Sequence, residues 1–174
     1  MALCLTIDTL VLVSARMQIR PAIATDYPAI CQLVTSPEEL FWVWPKGQYP
    51  LDVPQLELLA QQRKSLSVAT LNDQIIGFAN VYEINSQQYA FIGNVIIAKA
   101  QRGKGFGKTL LEYMRTTIFT HYAPEARISV FNNNTPALLL YSRVGFTPYA
   151  VEQRLTPHQQ PVALIHMQCK QDVS

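Results

Sequence analysis

Arg102-Gly103-Lys104-Gly105-Phe106-Gly107 combines the two things a phosphate group demands of a polypeptide, close backbone approach and positive charge. Glycine tolerates positive φ and puts no Cβ between ligand and backbone, so Gly103, Gly105 and Gly107 suit a run of inward-facing N–H groups. At the head of a helix, such a loop also gains the helix's unpaired donors and its dipole. Arg102, Lys104 and Lys108 add cationic groups for phosphate oxygens. Taken alone, the string is a weak signal that a flexible turn could also give. It is not a Walker loop: Gly107-Lys108-Thr109 has the right end, but residue 102 is Arg where the first glycine belongs. Nor is it the dinucleotide fingerprint, whose glycines are more widely spaced and sit in a βαβ unit near the chain start.

A second constellation follows, Asn134-Thr135-Pro136-Ala137-Leu138-Leu139-Leu140-Tyr141 and then Ser142-Arg143-Val144-Gly145-Phe146. On a helix starting near Pro136, Tyr141 lies about one turn beyond Ala137, and that small side chain leaves space beside the phenol. A phenol can donate a proton. A tyrosine filling an amphipathic core position would look the same in sequence. His121, His158 and His166 fall outside both motifs and have no metal-ligand spacing, so each reads as structural or exposed and no metal site is expected.

The elements that must position these residues can be read from periodicity. A strand starts at Met17, and a helix with Thr25-Asp26 at its N-cap runs through Ile30, Leu33 and Val34 until Ser36-Pro37 ends it. Residues 38–54 hold Phe41, Trp42, Trp44 and Tyr49 among prolines and read as an irregular or short-helical loop, either lining a pocket or filling core beneath it. A helix then runs from Pro54 to about Arg63. Strands are expected over 65–70, 74–84 and 89–97, the first two forming a hairpin about Leu71-Asn72-Asp73. The glycine loop comes next, then a helix over 109–119, a strand over 126–131, a helix over 136–144 ended by an αL Gly145, and a final hairpin of 146–153 with 162–169. The order βααβββαβαββ is a mixed α+β arrangement.

The chain has 174 residues, 49% of them apolar and 15% charged, with a formal net charge of +2. This is the composition of one folded unit, expected to span 17–174, and the charge imbalance is too small to indicate a nucleic-acid partner. No apolar run is long enough to cross a membrane as a helix, so no membrane partner is expected either. Residues 1–16 are an apolar extension of uncertain status. They end in Val13-Ser14-Ala15 like a signal peptide, but they lack a basic start and carry Asp8, and Met17 is an alternative start. If the extension belongs to the protein, its aliphatics suit an added strand or a partner contact, a homodimer included. Cys4, Cys31 and Cys169 have neither disulfide parity nor metal spacing, so they fit reduced thiols in the cytoplasm.

Together, and in this order, the two motifs resemble the GNAT superfamily of N-acetyltransferases. Arg102, Gly105 and Gly107 match its Arg/Gln-x-x-Gly-x-Gly/Ala pattern, and 134–146 matches its Asn-x-x-Ala-x-x-Leu-Tyr-x-x-x-Gly-Phe pattern; the likeness extends over about residues 17–170. It implies a GNAT-like fold, with a central mixed, mostly antiparallel twisted sheet, splayed in the middle and flanked by helices. It implies acetyl-CoA in the splay between the 89–97 and 126–131 strands. Backbone at Val95, Ile96 and Ile97 would hold the pantetheine arm, the loop from Arg102 to Lys108 (with Phe106 in it) the pyrophosphate, and Asn134 the region of the thiol arm. Tyr141, beside Ala137, takes the position of the general acid. The general base varies within the superfamily. Glu83, at a strand end facing the acceptor side, is the first candidate, and Asn94 or Tyr82 could instead orient a water. The acceptor is then a primary amine of a small molecule, or else a protein N-terminus or lysine; a CoA-binding regulatory module without catalysis is the reading from another class.

Overall fold

A computed structural model describes residues 16–171. The expected extension therefore lies outside the described residues apart from Arg16, as does Cys4. The seven strands are β1 (Met17–Pro21), β2 (Lys64–Leu71), β3 (Gln74–Asn85), β4 (Tyr89–Ile97), β5 (Glu125–Phe131), β6 (Thr147–Leu155) and β7 (Pro161–Lys170). They form one sheet in the order β1-β2-β3-β4-β5-β7-β6, antiparallel throughout except for the parallel pair β4–β5. The helices are α1 (Tyr27–Cys31), α2 (Pro37–Val43), α3 (Val53–Gln62), α4 (Phe106–His121) and α5 (Thr135–Arg143).

Alternation along the strands divides the core in two. Ala69, Ala79 and Ile97 point to one face and pack under α4 and α5, while their neighbours Val68, Phe78 and Ile96 point to the other and pack under α1, α2 and α3. On α4, Leu110, Leu111, Met114 and Ile118 are all fully buried, an apolar stripe at helical spacing. Each contributes roughly 1.5–3 kcal/mol of burial.

Several boundaries differ from the sequence reading: α1 ends at Cys31, before the expected Leu33 and Val34, β6 runs on to Leu155, and two differences bear on the site. Ser36-Pro37 does not merely end a helix but starts one: the Ser36 hydroxyl accepts from the Glu39 N–H at 3.1 Å, Pro37 occupies the first turn, and α2 forms inside the expected loop. The element order is therefore βαααβββαβαββ. Helix α4 starts at Phe106, three residues before the expected Thr109, because Gly105 at φ 88° is its N-cap. The aromatics of 41–49 divide between the two roles proposed for them. Trp44 packs in the core under α1–α3, Trp42 faces a cavity, and Tyr49 is exposed.

The parallel pair is the irregular place in the sheet. β4 and β5 pair only at Ala90↔Ala126 and Phe91↔Arg127, after which they diverge. On one side β5 stays fully paired with β7, from Glu125↔Lys170 to Phe131↔Leu164. On the other, β4 bulges: Phe78↔Ile96 is followed by Asn80↔Gly93, so Asn94 and Val95 oppose the single residue Ala79. Asn94 takes φ 52°, a conformation asparagine tolerates better than most residues. Its amide is held at both ends, Oδ1 accepting from Asn80 Nδ2 at 2.8 Å and Nδ2 donating to the Val43 carbonyl at 2.8 Å.

The first edge is tied down by a carboxylate. Arg20 donates to both oxygens of Asp26, at 2.7 and 2.8 Å, and the Ile23 N–H donates to Oδ2 at 2.9 Å. The Arg20 guanidinium holds the Asp26 carboxyl below its ordinary pKa, against the opposing effect of burial. A folded pKa below the unfolded one means that this stability is present above about pH 4 and lost as pH falls through the folded value. Asp26→Asn should therefore melt below the parent at pH 7, and the gap should close as pH falls below about 4. Melting curves recorded against pH check this; a constant gap contradicts it.

Candidate active site

Where β4 and β5 part, a cavity of about 500 Å³ opens, within the range typical of small-molecule sites. Val95, Ile96 and Ile97 of β4 line one side; Asn134, Ala137 and Tyr141 of α5 line the other; Arg102, Gly103, Gly105, Gly107 and Lys108 line the end. Of the residues expected to hold the cofactor, Lys104 and Phe106 are not on the wall. Lys104 Nζ instead donates to Gln101 Oε1 at 3.1 Å, and the Phe106 side chain packs against the α4 core.

The glycine loop has the form of an anion cradle. Gly103 and Gly105 take φ values of 76° and 88°, and a Cβ at either would meet nothing within 4 Å. The carbonyl of Gly105 accepts the first helical bond, from Thr109 at 3.2 Å. By helix geometry the N–H groups of Gly105, Phe106, Gly107 and Lys108 then lack intrahelical acceptors. No side chain caps this end and no acidic residue lies in the first turn of α4. Phe106 thus belongs to the cradle through its backbone.

Arg102 is more constrained than a free phosphate ligand. Its Nε donates to the Ile97 carbonyl at 2.9 Å, and its Nη1 lies 2.9 Å from Glu39 Oε1. Glu39 is buried, and its other oxygen accepts from the Thr35 N–H at 2.8 Å and the Thr35 hydroxyl at 2.7 Å. Burial pushes the Glu39 carboxyl up, but the Thr35 donors and Arg102 outweigh it and hold it below the usual range. The pair clamps the end of β4 to α2 and offsets part of the positive charge. Lys108 and Arg143 remain as cationic groups on the wall.

Asn134 is the N-cap of α5, its Oδ1 accepting from the Ala137 N–H at 3.4 Å. The helix ends as expected: Gly145 at φ 99° lets the Phe146 N–H reach the Tyr141 carbonyl at 3.0 Å. This fixes Tyr141, which is 6% exposed. Burial, reinforced by the nearby Tyr82 phenol, holds the Tyr141 phenol well above its ordinary pKa, so it keeps its proton throughout the neutral range.

Glu83 lies elsewhere. It is exposed near the end of β3, at φ 47° beside the irregularity between Tyr82 and Asn85, and it is not among the residues lining the cavity. Asn94 has both ends of its amide engaged, as described above. Sequence reading named Trp42 of α2 as a possible pocket residue but missed its neighbours Glu39 and Val43, together with Pro136, Leu139, Leu140 and Arg143 of the α5 wall. The α5 residues were within reach, because they flank Ala137 and Tyr141 in the same motif. Glu39 and Val43 carried no such signal. Among the described residues no cluster of His, Cys, Asp or Glu could hold a metal ion, and no helix is long and apolar enough to cross a membrane.

The family model described as the acetyltransferase (GNAT) family matches residues 25–146, and the chain belongs to that family. The matched residues are those of an acetyltransferase domain of that family. Among curated proteins it is similar to a streptothricin acetyltransferase from Escherichia coli, 28% identical over 81 residues, a match spanning 45% of each chain and so under half the length of that relative. The spermidine N-acetyltransferase of Vibrio cholerae, solved with CoA and spermine, superposes with a TM-score of 0.75 at 23% identity over 89% of this chain and 95% of that one. The ribosomal-protein-alanine N-acetyltransferase of Brucella melitensis gives 0.74 at 17% identity over 88% and 99%. The yncA protein of Salmonella typhimurium, solved with its cofactor acetyl-CoA, gives 0.73 at 19% over 92% and 96%. At these identities the structures establish a shared fold.

Gly105→Val should lose about 1–2 kcal/mol of stability, because a β-branched residue is forced to positive φ. It should also weaken acetyl-CoA binding by about tenfold or more, 1.4 kcal/mol, through disruption of the cradle. Calorimetric titration below the variant's melting temperature checks this; parental affinity in the folded variant contradicts the cradle.

Proposed function

We propose that the protein transfers the acetyl group of acetyl-CoA to the primary amine of a small molecule. The observation that carries the choice of acceptor is the position of α2. At one end of the helix the Val43 carbonyl is bound by Asn94 of β4; farther back, the Phe41 ring stacks on Phe131 of β5 with centroids 4.5 Å apart. The short helix thus straps the diverging strands together across the gap. A strap closes the space to a chain passing through it and leaves room for a compact acceptor.

The described residues fit the donor. The cradle of Gly103 to Lys108 suits a pyrophosphate, and β4 offers the unpaired edge of Val95, Ile96 and Ile97 to an amide-bearing arm. Acetyl-CoA supplies the activated acyl group; the chain supplies position and protons. A backbone N–H of Val95–Ile97 is the donor that polarises the acetyl carbonyl. Tyr141 holds the proton that the departing sulfur needs. Its raised pKa does not disqualify it, because the burial that disfavours a phenolate disfavours a thiolate in the same pocket, and the two proton affinities rise together.

Incubating the protein and acetyl-CoA with a panel of small amines and of peptides with free N-termini or lysines, and following thiol release and product mass, tests the acceptor class. Acetylated small amines with unmodified peptides are expected; preferential acetylation of peptides overturns the strap argument. Tyr141→Phe should lower kcat by on the order of 10²-fold or more while leaving acetyl-CoA affinity unchanged, since only the proton is removed. Steady-state kinetics and calorimetry on the same preparation check this, and an unchanged kcat removes Tyr141 from the proton-donor role.

A further inference from the structure

The face of the sheet opposite α4 and α5 carries a connected row of polar side chains at the vertex of the gap. Ser129 is the first β5 residue on that face beyond Arg127, the last to pair with β4. It stands opposite His166 in the β5–β7 ladder, and its hydroxyl lies 2.8 Å from His166 Nδ1. The other ring nitrogen, Nε2, lies 3.4 Å from Glu152 Oε1 on β6, and Glu152 is itself paired with Arg154. Aromatic contacts fix the imidazole from both sides, Phe91 edge-on at 6.4 Å and Tyr149 at 6.0 Å. None of these residues follows from the glycine loop or the α5 motif.

We infer that Ser129, His166 and Glu152 form a proton relay that takes the first proton from the acceptor ammonium, with His166 as the acceptor of that proton through the Ser129 hydroxyl. The inference rests on the amine-acetyltransferase reading given above. Transfer from a thioester to an ammonium removes two protons from nitrogen; one ends on the thiol and one must leave. In the relay, nitrogen gives a proton to Ser129 Oγ as the Ser129 proton passes to the lone pair of Nδ1. The resulting imidazolium faces the Glu152 carboxylate, from which the proton passes to water. The freed lone pair on nitrogen then forms the C–N bond as the C–S bond breaks, and the second proton is the one the sulfur recovers by way of Tyr141.

Glu83, Ser129, His166 and Glu152 all lie off the wall of the 500 Å³ cavity, and two features favour the relay over Glu83. The Ser129 hydroxyl stands at the vertex of the gap and is already engaged with the imidazole at 2.8 Å, whereas Glu83 is exposed near the end of β3. And the relay ends at a partly exposed carboxylate, 42% open on its side chain, where a proton can be discharged. The charged and titratable groups around His166 are Glu152 and Tyr149 on β6 with Arg154 behind them, Arg127 and its partner Glu125 on β5, and Tyr82 on β3.

The relay requires neutral His166 to carry its proton on Nε2, leaving Nδ1 free to accept from Ser129. Nitrogen-15 NMR of the imidazole in the substrate-free protein tests this independently of any acetyl transfer: an Nε2–H tautomer whose Nδ1 signal shifts in Ser129→Ala is expected, and an Nδ1–H tautomer overturns the relay. In His166→Gln, kcat/KM for an amine at pH 7 should fall on the order of 10²-fold, and activity should climb steadily with pH as free amine accumulates. Glu152→Gln, a change at a partly exposed position that leaves the core untouched, should lower kcat/KM for the amine while leaving acetyl-CoA affinity unchanged. Profiles superimposable on the wild type in both variants, with the wild type active, overturn the relay alone. A wild type that acetylates no amine overturns the parent reading and the relay with it.

Discussion

The constraint on which the rest of the structure depends is that β4 and β5 stop pairing at Phe91↔Arg127. Parallel neighbours need a crossover, and α4 supplies it, entering from the glycine loop at the far end of β4. Had the two strands stayed in register, the sheet would have been continuous and the loop would have faced solvent. Instead the bulge at Asn94-Val95 turns β4 away, and β5 satisfies one edge on β7 and leaves the other open. Unpaired strand donors are unfavourable unless something accepts from them. The fold therefore carries a built-in demand for a ligand with amide-like groups along its length, ending where the α4 N-terminus demands an anion.

Holding two strands apart needs as much structure as holding them together. Asn80, fully buried, reaches Asn94, and Asn94 reaches α2. Gly93 stands opposite Asn80 because a Cβ there would sit 2.7 Å from the Tyr82 ring and 2.9 Å from Asn80 Oδ1. Arg102 adds a second tie, from the end of β4 to the buried carboxylate of Glu39. The ion-paired guanidinium orients the loop, and Lys108 and Arg143 supply further charge at the wall.

Sequence made some of this legible and hid the rest for identifiable reasons. The glycine loop, Asn134, Tyr141 and Gly145 announced themselves because each depends on local geometry: positive φ, an N-cap, a helix terminator. The two faces of the sheet could not be read, because Val68-Ala69 and Phe78-Ala79 are apolar on both sides and only the helices packed on them tell the faces apart. Nor could helix α2, since three prolines and four aromatics over 37–50 obscure a seven-residue helix whose main local signal is the Ser36 cap. Glu39 then went unseen, because its partner Arg102 is distant in sequence. His166, outside both motifs and without metal-ligand spacing, reads in sequence as structural or exposed; its neighbours Ser129 and Glu152 come from other strands, and only the β5–β7–β6 register brings them to one face. Glu83 drew attention as a carboxylate at a strand end, but the β3 irregularity places it outside the cavity wall.

The division of the sheet into two faces also divides the chemistry. Tyr141 stands on the face packed by α5, deep in apolar surroundings, whereas Ser129 and His166 stand on the opposite face with a carboxylate leading to solvent. Acyl transfer from sulfur to nitrogen needs one site that gives a proton and another that removes one, and two such sites sharing a surface would exchange protons with each other. A gap between strands separates them by the thickness of the backbone while keeping both within reach of a group lying in it. On this view the early end of the β4–β5 ladder does two things at once: it opens the backbone edge that holds the donor, and it lets the nucleophile arrive from one face while the leaving group is protonated from the other.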